Sequence, residues 1–276
     1  MNAFAKSYVV LNQAQPPEIW VALSIGNTHW KWGYFVEGQL TRTWKTRPQV
    51  WQREKATASW WQWCERSPAF QWHQNTGGDP FPTLYLASVV ATEEQAWLDY
   101  PEVHLMTLGN IPMAGLYEGL GIDRALALWG AGNVLRWPVL VIDAGTALTF
   151  SGADDAGFQG GAIAPGVGLQ FEMLHQQTAA LPQARSSQRL PPRWAQATED
   201  SICSGVLFGV LAAIQDFSED WLRRYPNSKI ALTGGDGKQL AAHLNQMQER
   251  YPTQSRAIPY QYLDNLIFQG MACAIK

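Results

Sequence analysis

Cysteine is scarce in this chain, and its three copies, Cys64, Cys203 and Cys273, stand far apart with no CxxC spacing. That excludes a disulfide scaffold and a cysteine-based zinc site, and it predicts reduced thiols serving as small core residues. Charge is also low. Only 16% of the 276 residues are Asp, Glu, Lys or Arg, and the net charge is −3 with a pI near 6.0. No basic excess argues for nucleic acid as a partner. No unbroken apolar run reaches the roughly 18 residues of a membrane span, and the longest, GVLFGVLAAI at 205–214, has the length of a buried helix. The stretch MNAFAKSYVVLNQAQPPE has one lysine and no apolar core ahead of a small-residue cleavage site. The expectation is a cytoplasmic protein with no membrane attachment. His29, His73, His104, His175 and His243 show no metal-ligand spacing, and no Ser/His/Asp set can be assembled. GxxxxGK[ST] is missing, as is a GxGxxG after a strand, so neither a P-loop nor a dinucleotide fingerprint is present.

What remains is a globular composition, 46% hydrophobic, in a chain long enough for two domains. Apolar runs at 19–25, 32–36, 84–90, 103–108, 138–143, 147–151 and 229–233 read as strands. Helical patterns lie between them at 48–66, 92–99, 123–135, 168–177, 199–224, 237–250 and 262–275. The alternation predicts an α/β protein with mixed β-sheets flanked by helices. The Pro- and Gln-rich stretches 74–82 and 181–193 read as exposed loops. Tryptophan is abundant, with 14 copies, many of them in 44–72. An aromatic packing face of a helix explains that cluster better than a base-stacking platform, which needs Lys and Arg that the segment lacks.

A strand followed by a glycine turn occurs twice. Ala22-Leu23-Ser24-Ile25-Gly26-Asn27-Thr28 and Val141-Ile142-Asp143-Ala144-Gly145-Thr146-Ala147 align on Gly26 and Gly145, and a second strand follows each. A repeat this long suggests a duplicated domain rather than a solenoid, here residues 1–136 and 137–276, with the turns facing across a cleft. Glycine lets backbone approach a ligand, and successive N–H groups in such a turn form an anion-binding concavity. Two ordinary hairpins would look the same at either position alone, so the pairing is the informative part.

Four further segments carry chemistry. Asp143 ends the apolar strand PVLVID, where it reads as a clamp for the turn or a ligand for a hard cation. In YEGLGIDRALALWGAGNVL, at 117–135, Asp123 falls at or near a helix N-terminus. There it is either an N-cap or a base for phosphoryl transfer, with Arg124 beside it as an anion fork. GGAIAPGVGLQFEML, at 160–174, reads as a Gly/Pro-rich turn entering a helix. KIALTGGDGKQL, at 229–240, suits a nucleoside resting on bare backbone, though any αβ junction looks similar.

Taken in order, IGNTHWKWG, LGIDRALA, VIDAGTALTF, GGAIAPGVGL, TAALP and TEDSICSGVLFG resemble the type III pantothenate kinases. These belong to the acetate and sugar kinase/Hsp70/actin superfamily of duplicated ribonuclease H-like domains. The resemblance covers about residues 19–275. It implies transfer of the γ-phosphate of ATP to the 4′-hydroxyl of pantothenate, the first step of coenzyme A synthesis. It further implies a homodimer that uses Mg²⁺ and a monovalent cation, K⁺ or NH₄⁺. On this resemblance Asp123 matches the proton acceptor, Asp143 the monovalent-cation ligand and Thr146 an ATP contact. The hairpin Ser24, Ile25, Gly26, Asn27, Thr28, His29, Trp30 and Lys31 matches the first phosphate loop. Gly121, Ile122, Asp123 and Arg124 match the pantothenate-contacting stretch, joined by Tyr117 and by Thr198 reaching from the partner subunit.

Two positions depart from the family pattern. Ser24 stands where the family usually has Asp, and Tyr117 lies closer to GIDR than the family's substrate-contacting tyrosine. Ser24 motivates an alternative, a pseudokinase or regulatory binding protein of the same fold. Another phosphotransferase of the superfamily is the third reading.

Overall fold

IWVALSI and VLVIDA are almost continuously apolar, as strands covered on both faces must be. They become β1 (Ile19–Ile25) and β6 (Val139–Ala144), the central strands of two sheets. The structure is a computed structural model that describes residues 18–46, 82–95, 97–98, 100–251 and 258–275. The helix expected at 48–66, Cys64, most of the tryptophan-rich segment and residues 74–81 lie outside the described residues.

The first sheet holds β1, β2 (Trp30–Val36), β3 (Gln39–Thr46), β4 (Thr83–Ser88) and β5 (Val103–Leu105), in the order β3-β2-β1-β4-β5. The β1–β2 and β2–β3 pairs are antiparallel, whereas β1–β4 and β4–β5 are parallel. The second sheet holds β6, β7 (Ala147–Asp154), β8 (Gly157–Pro165), β9 (Lys229–Thr233) and β10 (Tyr260–Tyr262). Its order is β8-β7-β6-β9-β10, with the same sequence of antiparallel and parallel pairs. Strand for strand the two sheets share one topology, that of a duplicated ribonuclease H-like fold. Helices α1 (Ala91–Gln95), α2 (Ile122–Leu135), α3 (Val167–Gln176), α4 (Thr198–Arg224), α5 (Gly237–Arg250) and α6 (Leu266–Ala274), with a 3₁₀ turn at Leu108–Asn110, complete the described elements.

The chain divides into two compact units. The first contains the described residues as far as Pro112, with Leu120–Ala125 and the last turn of α6. The second contains Met113–Gly119 and Leu126–Gly270, so the division falls inside α2. In the first unit the core gathers Val21, Leu23, Ile25, Trp30, Trp32, Tyr34, Leu84, Leu86 and Trp97. On the other face of β1, Trp20 stacks on Phe35 with ring centroids 3.7 Å apart and planes within 5°. In the second unit α4 supplies Ile202, Val206, Leu207, Leu211 and Ile214 to a core shared with β6, β7 and β9. By length and composition α4 could cross a membrane, yet half of its most apolar window is buried here as the core helix of this unit.

Helix α2 is held by close backbone approach. A β-carbon on Gly130 would run into the carbonyl oxygen of Leu266, and one on Gly270 into that of Leu126. Glycine at both positions lets α2 and α6 pack without intervening side chains, which fixes α2 from its second turn onward.

Several boundaries differ from the sequence reading. β3 was not expected: QLTRTWKT is largely exposed, so no buried face stamps an alternation on it. β8 occupies part of what read as a turn, because GFQGGAIAP is glycine-rich and still pairs along β7. The helix expected at 262–275 begins at Leu266, behind the short strand β10. β4 ends at Ser88 and β5 at Leu105, short of the apolar runs that announced them. The helix expected at 92–99 is a single short turn of helix, α1. Residues 181–193 have no regular structure, as expected, but Ala184, Leu190 and Pro191 are buried. Gln239, Gln246 and Arg250 of α5 donate hydrogen bonds to backbone carbonyls of Ser187, Gln188 and Pro191 in this strap.

Candidate active site

In the first unit the β1–β2 turn is closed by the Gly26 N–H donating to the His29 carbonyl at 3.3 Å. Asn27, Thr28 and His29 are exposed at its tip, and Lys31 is half-buried. Ile25 and Trp30 flank the turn and point into the hydrophobic core, where they anchor the hairpin. Ser24 is 4% exposed and stands between Lys31 on β2 and Ala87 on β4. The Val89 N–H donates to Ile25 O at 3.1 Å, which ties the end of β4 to the root of the same turn. Val89 is an exposed apolar residue 3.8 Å from where a β-carbon on Gly121 would sit. Sequence reasoning missed it because a valine after a strand looks like more strand.

Gly121 leads directly into α2, and Asp123 lies in the first turn of that helix. Its Oδ1 accepts the Arg124 N–H at 2.8 Å, so one orphan donor of the helix end is satisfied by the carboxylate. The unpaired N–H groups and the helix dipole favour a negative charge here by about 0.3–1 kcal/mol. The other carboxylate oxygen forms none of the hydrogen bonds by which Asp123 is tied to the helix end. Ile122 and Arg124 are buried on either side, which holds the aspartate's backbone in place.

In the second unit three turns meet at the C-terminal end of β6. The Gly145–Thr146 turn is closed by Gly145 N–H to Ala147 O at 3.1 Å. Gly166 N–H donates to Thr146 O at 3.0 Å, and Asp236 N–H to Ala144 O at 2.9 Å. A β-carbon on Gly166 would collide with the carbonyl oxygens of Gly145 and Thr146. Gly234, at φ +94, sits so close to Asp143 that a β-carbon would strike its Oδ1 and the Ala144 carbonyl. Helices α3 and α5 both start at this point, and the N-terminal N–H groups of each form a ready anion site. Thr146 is thus exposed beside two helix N-termini, with Gly166 and Gly234, from the two glycine-rich segments singled out in the sequence, as the spacers.

Asp143 pairs across the sheet with Thr149 on β7 and Thr233 on β9. Its Oδ1 is buried. One carboxylate among threonine hydroxyls and backbone carbonyls is an all-oxygen donor set of low charge, which fits a hard monovalent cation. Among the described residues no three His, Cys, Asp or Glu side chains gather as a metal site. Tyr117 belongs to the second unit, half-exposed, with its ring 5.9 Å from that of Phe158. Thr198 opens α4 and edges a groove of about 640 Å³, lined also by Met173, Leu174, Leu181, Ile202 and Val206.

The family model for type III pantothenate kinases matches residues 20–220. A type III pantothenate kinase of Nostoc sp. is 43% identical over 260 residues, covering 91% of this chain and 92% of the relative. One from Synechocystis sp. is 40% identical over 265 residues, with 95% and 91% covered. Among solved structures, a Baf family protein from Campylobacter jejuni superposes with a TM-score of 0.59 at 21% identity, covering 92% of this chain and 96% of that one. The ethanolamine utilization protein EutJ of Carboxydothermus hydrogenoformans gives 0.51 at 12% identity, with 96% and 92% covered. At those identities the two solved structures speak for the fold alone.

Proposed function

Because the chain belongs to the type III pantothenate kinase family, we propose that it transfers the γ-phosphate of ATP to the 4′-hydroxyl of pantothenate, the first step of coenzyme A synthesis. The observation that carries this reading is Asp123, a carboxylate held in the first turn of α2 by the Arg124 N–H. In the reaction it accepts the proton of the 4′-hydroxyl as that oxygen attacks the γ-phosphorus. The bond to the β–γ bridging oxygen breaks and ADP leaves. Positioning and charge do most of the work in such transfers.

The hairpin Ser24–Lys31 and the turn at Thr146 hold the nucleotide's phosphates on backbone N–H groups, reinforced in the second unit by the starts of α3 and α5. Gly121, Ile122, Arg124 and Tyr117 bind pantothenate. Asp143 holds the monovalent cation, K⁺ or NH₄⁺, which supplies positive charge near the phosphates. Mg²⁺, carried in on the nucleotide, would supply charge at the phosphates and would need few protein carboxylates, in keeping with its usual coordination.

The active form is a homodimer in which Thr198 reaches the partner's pantothenate. The groove between α3 and α4 supports this, since Ser201, Gly205 and Gly209 form an exposed ridge of small residues along α4 where a second helix can approach closely. The protein works in the cytoplasm. Ser24 favours a second reading, a nucleotide-binding protein without turnover. Purified protein supplied with ATP, Mg²⁺, K⁺ and pantothenate separates the two: formation of 4′-phosphopantothenate supports the kinase, and ATP binding without product supports the other.

A further inference from the structure

The strap that follows α3 leaves a groove and comes back to it. Leu181 at its start and Thr198 beyond its end both line the groove of about 640 Å³ between α3 and α4. Neighbouring helices are commonly joined by about two to eight residues, so the path from 182 to 197 is a detour. That path has no regular structure. Its backbone groups therefore have no ladder to bond to, and the buried ones need partners from other elements.

Side chains of two helices supply those partners. On α5, Gln239 Nε2 donates to Ser186 Oγ at 3.0 Å and to the Ser187 carbonyl at 2.7 Å. Gln246 Nε2 donates to the Gln188 carbonyl at 3.3 Å, and its Oε1 accepts the Leu190 N–H at 3.1 Å. Arg250 donates to the Pro191 carbonyl at 3.4 Å. Gln239, His243, Gln246 and Arg250 follow one another in steps of four, three and four, which puts them on one face of the helix. On α4, Ser204 donates to the Arg193 carbonyl at 2.7 Å and Cys203 to that of Arg185 at 3.3 Å. The Arg193 guanidinium lies over the Phe208 ring, 4.2 Å from its centroid.

Burial of Ala184, Leu190 and Pro191 accounts for a strap that sits on this core. Apolar burial is non-directional, however, and does not set where each backbone group comes to rest. The Gln246 amide does, because it gives one hydrogen bond at 188 and takes one at 190, and only one placement of the strap satisfies both. We infer that Gln239 and Gln246 are positioning residues for pantothenate: they lock the strap onto α5 and thereby set where Thr198 enters the groove. The inference rests on the reading of Thr198 as a pantothenate contact. A strap released from α5 spends part of its time with Thr198 displaced, and apparent affinity for pantothenate falls with the competent fraction. Helix α5 then has two tasks, one at its start beside the Thr146 turn and one along its flank.

The test uses the full-length protein, with steady-state rates measured against pantothenate at saturating ATP and against ATP at saturating pantothenate. Gln239→Met and Gln246→Met keep the side-chain volume and remove the hydrogen bonds, and circular dichroism checks that each folds. Each is expected to raise KM for pantothenate about fivefold, with kcat and KM for ATP within about twofold of wild type. Gln246→Glu still accepts the Leu190 N–H and is expected to fall between wild type and Gln246→Met. Hydrogen exchange at the Leu190 amide is expected to quicken in Gln246→Met, while the amides of β6 keep their protection. Wild-type KM for pantothenate in both methionine variants would overturn the inference, as would a loss confined to kcat or shared equally by the two substrates. Calorimetry with pantothenate separates this from the reaction itself. A wild-type protein that binds pantothenate without phosphorylating it counts against the kinase reading alone, and the variants are then compared by Kd. A wild type that binds no pantothenate would overturn both.

Discussion

The Oδ1 atom of Asp123 fills the space that a β-carbon on Gly121 would need, for the two would lie 2.6 Å apart. The glycine two residues before the aspartate thus decides where its carboxylate can rest. Gly121 has no left-handed backbone requirement, and the atom it crowds is the end of a side chain, so Gly121→Ala is expected to fold. It pushes the carboxylate off its position at the helix end and lowers kcat by about a hundredfold, the scale of an ångström-sized misplacement. Asp123→Asn keeps the position and removes the base, with a loss of about 10²–10⁴-fold in kcat. Steady-state rates with ATP in excess check both, and unchanged kcat in Asp123→Asn would remove it as the base.

Asp143 gives a prediction about cations that does not depend on turnover. If its carboxylate holds a monovalent cation, K⁺ or NH₄⁺ raises the melting temperature of the wild type above that seen with a large organic cation. Asp143→Ala abolishes that difference. Gly234→Ala, which drives a β-carbon into the same carboxylate and the Ala144 carbonyl, reduces it as well. An identical potassium response in wild type and Asp143→Ala, measured by thermal denaturation, would place the cation elsewhere.

The ridge of small residues on α4 predicts the oligomeric state. Gly205 is exposed and has nothing within 4 Å of a built β-carbon, so Gly205→Trp is expected to fold as an isolated chain, which circular dichroism checks. In a dimer packed along the α3–α4 groove the indole blocks close approach. Sedimentation is expected to show a dimer for wild type and a monomer for Gly205→Trp, with KM for pantothenate raised because Thr198 no longer reaches its partner. A variant that remains dimeric would put the interface on another surface.

His243 makes stability depend on pH. It is fully buried in α5, and burial pushes its imidazole below the ordinary range, against a smaller upward pull from the backbone of Gln188 and Ser187. The unfolded chain then binds a proton more readily than the folded one. Stability is complete above the unfolded value of about 6.5 and falls as pH drops below it toward the depressed folded value. Urea denaturation at pH 7.5 and 5.0 is expected to show a smaller loss for His243→Leu than for wild type. Equal losses would mean that His243 does not titrate on unfolding.

Much of this architecture was legible because the central strands are buried on both faces. β1, β6 and β9 appear in the sequence as apolar runs of nearly the right length, and the Gly26 and Gly145 turns mark the duplication. β3 and β8 were not legible: one is solvated and the other is built on glycine, and pairing with a neighbour rather than side-chain pattern makes each a strand. Among the candidate site residues, Gly121–Arg124 and Asp143 stand out in the sequence because a motif carries each. The contacts of Gly166, Gly234 and Val89 do not stand out there, since their importance lies in which atoms stand beside them after folding.

The central claim is the phosphorylation of pantothenate, and one measurement addresses it directly. Purified protein incubated with ATP, Mg²⁺, K⁺ and pantothenate is followed by mass spectrometry and phosphorus NMR. The account predicts 4′-phosphopantothenate and ADP in equal amounts, with product formation lost in Asp123→Asn. A folded wild-type protein that binds ATP yet forms no phosphopantothenate, with K⁺ or with NH₄⁺, would contradict it.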